Sequence, residues 1–149
     1  MRRVLIVCYG NTLRSDDGVA WHVGEALMAR AGPDVTVLLR HQLTPDLAAD
    51  LSECELVVFV DARVVDAHNL AAGVEQRPVT PDSGPLDTHR LTPDALLGLT
   101  QELFDVRPAA YLVTIPAWSF ELGESLSART AGLVAEACDR VWSLLAERP

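Results

Sequence analysis

Apolar positions along the chain come in blocks whose spacing switches between strand and helix periods. Val4–Tyr9 is an almost unbroken apolar run, and residues 56–60 (Leu56, Val57, Val58, Phe59, Val60) form a second. Short, β-branched runs of this kind predict strands covered on both faces, as in a parallel sheet. Between them, residues 18–31 carry Val19, Val23, Ala26, Leu27 and Ala31 near helical spacing, and Gly32-Pro33 follows. Glycine ends a helix readily and proline cannot continue one. Residues 35–39 predict the second strand. Thr44-Pro45-Asp46, an N-cap, a first-turn proline and an early acid, opens a short helix to about Leu51. Residues 73–79 read as a weaker, alternating strand, and Pro78 places it at a sheet edge, where a missing N–H is tolerated. Thr92-Pro93-Asp94 repeats the capping signature and begins a helix to about Phe104. Residues 110–115 predict the fifth strand and 116–124 a loop. A final helix over about 127–147 carries Leu133, Val134, Ala137, Val141, Leu144 and Leu145 on one stripe.

Strands separated by helices predict an α/β fold: a single domain over residues 1–149, with a mostly parallel, five-stranded twisted sheet and helices on both faces. Right-handed crossovers order the first three strands 2-1-3, with the fifth beyond the third. Connections then leave strands one and three in opposite directions, and their C-terminal ends form the switch point where such sheets place ligands.

Composition narrows the function classes. At 149 residues, with 49% hydrophobic and 22% charged positions, the chain can bury a sizeable core as one globular domain. The net charge of −9 argues against nucleic acid, which needs a basic stripe to displace phosphate counterions, and suits cationic partners or metal ions. Cys8, Cys54 and Cys138 have no C-x-x-C spacing, and Cys8 and Cys138, within apolar patterns, read as free, buried thiols. No apolar run reaches membrane-spanning length, so a cytoplasmic location is the default expectation.

Candidate chemistry gathers at the switch point. Gly10-Asn11-Thr12-Leu13-Arg14-Ser15-Asp16-Asp17-Gly18 follows strand one, and Asp61 ends strand three. Asp16 or Asp17 can cap the following helix, and Asp61 can close its strand with an Asx turn. Two carboxylates held close at adjacent strand mouths would instead repel unless a cation or a shared proton lies between them. His89, between the loop at 81–87 and the capped helix, is the third candidate. One imidazole and two carboxylates suit a borderline divalent transition metal with open positions. His41, just after strand two, is placed to contact a substrate, whereas His22 and His68 read as solvated. No G-x-S-x-G elbow, dinucleotide fingerprint or P-loop is present.

The segment Gly10-Asn11-Thr12-Leu13-Arg14-Ser15-Asp16-Asp17-Gly18-Val19, followed by Val60-Asp61-Ala62 and by His89 before a capped helix, resembles the maturation endopeptidases of nickel–iron hydrogenases. The resemblance runs over nearly the whole chain. It implies a peptidase that removes the C-terminal extension of a hydrogenase large-subunit precursor after nickel insertion. It also implies that Asp17, Asp61 and His89 contact the nickel, which is carried by the substrate and met only transiently. Capping is then assigned to Asp16 and the cleft to Asp17. Ser15 and Ala20 stand where the family often has glycine. Residues 40–45 stand where many members have a Gly-Gly-Thr turn, a departure that bears on precursor choice. Trp118, Phe120 and Glu121 fall in what resembles the family's last sheet-edge loop, as a recognition surface or as small core anchors. Two other functions share the same three residues: a maturation factor that binds nickel or precursor without cleaving, and a small-substrate hydrolase that holds a metal permanently.

Overall fold

The computed structural model describes residues 3–87 and 89–147. Its sheet has the order β2-β1-β3-β5-β4, built from β1 (Val4–Tyr9), β2 (Val35–Arg40), β3 (Leu56–Val64), β4 (Glu75–Pro78) and β5 (Ala109–Ala117). All pairings are parallel except β4 with β5. The 2-1-3 order, the fifth strand beyond the third and the proline-bearing edge strand all match the sequence reading.

Two cores follow from strand alternation. On one face Val4, Ile6, Cys8, Val58, Val60, Val113 and Ile115 pack with Val19, Val23 and Leu27 of α1 (Val19–Met28) and Ala137, Val141 and Leu144 of the C-terminal helix. On the other, Leu5, Val7, Val57, Phe59 and Leu112 pack against α2 (Leu47–Ser52) and α3 (Pro93–Phe104) through Leu47, Leu51, Leu96 and Leu97. Strand β1 and residues 56–60 of β3 are buried because helices cover both of their faces.

Several boundaries differ from the sequence reading by a few residues, α1 ending at Met28 and β5 running on to Ala117 among them, and three of the differences have a local reason. Strand β3 does not end at Asp61: β5 keeps pairing with it, Asp61 opposite Thr114 and Val64 opposite Ala117, after β1 has left the ladder at Cys8 opposite Val60. Asp61 is therefore a strand residue with one flank open, and not an Asx-turn residue. The C-terminal helix is two pieces, α4 (Ala128–Ala131) and α5 (Val134–Ala146), separated at Gly132, a weak helix former. Finally, α2 begins at Leu47 with no side-chain cap, and Thr44 contributes only its carbonyl to a turn, accepting from the Leu47 N–H. Thr92 does cap α3, its hydroxyl accepting from the Ala95 N–H at 3.1 Å. All three cysteines are free, Cys8 buried and the others partly so. Among the described residues no helix is long and apolar enough to cross a membrane.

Candidate active site

The turn after β1 is a set of hydrogen bonds that place one acid outward and one inward. Gly10 lets the strand end pass against the Asp17 carbonyl, where any Cβ would overlap that oxygen. Asn11 makes an Asx turn, its side-chain oxygen accepting from the Leu13 N–H at 2.9 Å. The Asn11 N–H donates to the Asp17 carboxylate at 2.9 Å, which fixes that side chain at the mouth of the strand. Ser15 sits in the left-handed region (φ 51°), where glycine would be unstrained, and its hydroxyl donates to the Glu121 carbonyl at 2.7 Å.

Asp16 is not a helix cap. No side chain caps the 3-10 turn (Ser15–Gly18) or α1, and Asp16 is fully buried. Its carboxylate accepts the N–H groups of Trp118, Ser119 and Ser127 at 3.0, 2.9 and 2.7 Å and the Ser127 hydroxyl at 2.8 Å. Burial alone would raise this carboxyl, but the donors of Ser127, Ser119 and Trp118 outweigh it and hold it below its ordinary range. The sequence points to the α1 N–H groups only as the nearest donors. The actual donors are more than a hundred residues away, and no local pattern announces them.

Asp17, Asp61 and His89 line one cavity of about 380 Å³ with Tyr9, His41 and Gln42. It lies at the C-terminal ends of β1, β2 and β3, the location inferred from topology. Among the described residues, however, no three His, Cys, Asp or Glu are grouped closely enough to hold a metal ion. The cavity brings the three together without a finished ligand shell. The exposed His89 is tied locally, its N–H donating to Asp87 at 2.9 Å. His41 faces the same cavity, as its position after β2 suggests, and His22 and His68 are exposed elsewhere.

Asp61 is the electrostatically unusual member. Burial pushes its carboxyl up to about 7, with the Asp17 charge adding to the rise and hydrogen bonds from Tyr9 and the Ala62 N–H opposing it. A carboxyl set there can hold or accept a proton near neutrality. Burial, followed by the Asp61 charge, raises the Tyr9 phenol well above its ordinary value, so it stays a hydrogen-bond donor. Tyr9 was not singled out from the sequence, where it reads as the last residue of an apolar strand. Parallel register supplies the missing signal: Val7 lies opposite Phe59, so Tyr9 comes level with Asp61 on the same face. In the loop beyond β5, Trp118 is an anchor: its indole N–H donates to the Asn69 carbonyl at 3.1 Å and Arg129 stacks on its ring.

An acid-lined cavity at the switch point of a 2-1-3-5-4 sheet defines a class: the fold is that of the hydrogenase maturation peptidases. The chain is similar to the hydrogenase maturating endopeptidase HybD from E. coli, at 19% identity over 97% of this chain and 93% of that one, with a TM-score of 0.79. It is also similar to the NiFe hydrogenase maturation protease HybD from Thermococcus kodakarensis (23%, 95% and 98%, TM-score 0.73). HycI from Thermococcus kodakarensis KOD1, a NiFe hydrogenase maturation protease, matches at 25% identity over 97% and 90% with a TM-score of 0.66. The sequence matches no protein-family model and no curated protein.

Proposed function

We infer that this protein is an endopeptidase that removes the C-terminal extension of a nickel–iron hydrogenase large-subunit precursor after nickel insertion. The observation that carries this reading is the convergence of Asp17, Asp61 and His89 on one cavity, in a fold shared with proteins named as such peptidases. The three side chains contact the nickel that the precursor already holds, which positions one peptide bond beside the carboxylate pair. Hydrolysis then adds water across that bond. The water oxygen joins the carbonyl carbon as one of its protons passes to a carboxylate, the C–N bond breaks, and the proton returns to the leaving amine. Cleavage follows metal insertion because the nickel forms part of the recognition surface.

The test is mass spectrometry of nickel-loaded precursor incubated with the purified protein. Wild type is expected to release the extension, while Asp17→Ala and His89→Ala release little or none. Processing by both variants at the wild-type rate removes the site assignment. Complex formation with an intact precursor establishes the non-cleaving maturation factor instead. Stoichiometric, tightly held metal in the isolated protein favours the resident-metal hydrolase.

A further inference from the structure

The candidate cavity shares part of its lining with a neighbouring space. Tyr9 and Asp61 form a wall of it and also of a second, larger cavity of about 650 Å³. Arg77 and Leu112 in turn belong both to that second cavity and to a third of about 210 Å³ over Thr114. The residues they share set the three spaces side by side, a groove in line across β3, β5 and β4. Its floor follows from register: Asp61 lies opposite Thr114 and Phe59 opposite Leu112, while on β4 Glu75 and Arg77 oppose the same two β5 residues. All of them project from the face that α3 covers only in part.

One wall is held in place firmly. The segment at 80–82 closes against α3 where Gly98 has no Cβ to meet the Asp82 backbone, and the Asp82 N–H donates to the Asp94 carbonyl at 2.9 Å. The groove's cations are already compensated. Arg77 is bidentate to Asp94 at 2.8 and 3.1 Å, and Arg63 binds Glu75 at 2.8 Å and the Thr114 hydroxyl at 2.6 Å. With both arginines engaged and the carboxylates of Asp61 and Asp82 along it, such a groove disfavours acidic side chains and suits backbone amides and a modest apolar side chain.

We propose that this groove binds an extended peptide free of acidic side chains that leads away from the bond beside Asp61, with an apolar side chain over Leu112. Two strand spacings separate β3 from β4, roughly 10 Å, which an extended chain covers in about three residues. The nickel-bearing part of the precursor takes the cavity of Asp17 and His89, so the occupant on this side is the first part of the released extension, an assignment that rests on the peptidase reading above.

The direct test titrates the isotopically labelled wild-type protein with a synthetic peptide of the precursor's extension and follows backbone amide shifts. Shifts at Arg77, Thr80 and Thr114 are expected, and shifts absent or confined to residues 41–43 and 89–91 overturn the proposal. The second test fills the groove from its exposed wall with Thr80→Trp. Its KM for nickel-loaded precursor should rise about tenfold with kcat within about twofold, the pattern of lost ground-state binding. Gln101→Trp, on an exposed position of α3, should leave both unchanged. A Thr80→Trp variant with wild-type KM overturns the groove assignment and leaves the peptidase reading standing. Groove shifts with a precursor that wild type does not cleave support the groove and remove the peptidase reading.

Discussion

The two loops that bring ligand-facing residues to the cavity are built in opposite ways. The loop carrying Asp17 is tied across the molecule. Asp16 gathers four donors from residues 118–127, Ser15 reaches the Glu121 and Gly123 carbonyls, and Arg14 bridges Gly123. Among the described residues, the loop carrying His89 is tied mostly to itself, with Gly84 bonded to Asp82, His89 to Asp87 and Arg90 to Asp87. One side of the cavity is thus set by long-range bonds that break only with the fold, and the other by short-range bonds that a bound substrate can replace cheaply. This difference leaves the Asp17 side of the cavity the more firmly placed of the two.

The comparison is broken most directly at Asp16. Asp16→Ala removes a buried charge from four donors, and a loss of about 3–5 kcal/mol in urea unfolding is expected. A loss below about 1 kcal/mol would mean that the long-range ties do not hold the Asp17 loop. His89→Ala should do the reverse. Its unfolding free energy should stay within about 0.5 kcal/mol of wild type, while precursor processing falls by about 100-fold or more as the reacting bond loses its alignment. Equal losses of stability and activity would put the two loops in one class. Ser15 sharpens the picture on a smaller scale: Ser15→Ala should cost about 1 kcal/mol through the lost bond to Glu121. Ser15→Gly should cost less, because glycine relieves the left-handed backbone that serine occupies.

The smallest effect concerns pH. Burial alone would raise the Asp94 carboxyl, but hydrogen bonds from Arg77 and the Thr80 N–H outweigh it and hold it below its ordinary value of 3.8. A depressed folded pKa adds stability above the unfolded value, and that increment disappears as pH falls through the folded one. Asp94→Asn should therefore be less stable than wild type by no more than about 1 kcal/mol at neutral pH, with the gap closing below pH 3.8 in acid titration of unfolding. A gap that persists in acid would show that packing, not charge, is what Asp94 supplies.

Much of the architecture is legible in the chain because it depends on local periodicity. The apolar runs of β1 and β3, the helical stripe of α1, the Thr92 cap and the proline of the edge strand each state their own element, and handed crossovers then leave few orders for the strands. The positions of Asp17, Asp61 and His41 near one rim follow from that order, whereas that of His89 depends on how the loop before α3 folds back. Asp16 and Tyr9 were not legible in the same way. The partners of Asp16 lie on a loop beyond β5, and Tyr9 meets Asp61 only because parallel strands bring residues far apart in sequence to the same level. The continuation of β3 past Asp61 likewise depends on β5 staying beside it after β1 has turned away.

By itself, then, the sequence determined the elements, their order and the end of the sheet where the acids gather, since hydrophobic period and turn chemistry act over a few residues. Only the tertiary structure decided that Asp16 is buried away from the helix beside it and not spent on capping. That choice is made by donors brought in from the far end of the chain, and a buried carboxylate goes where those donors are.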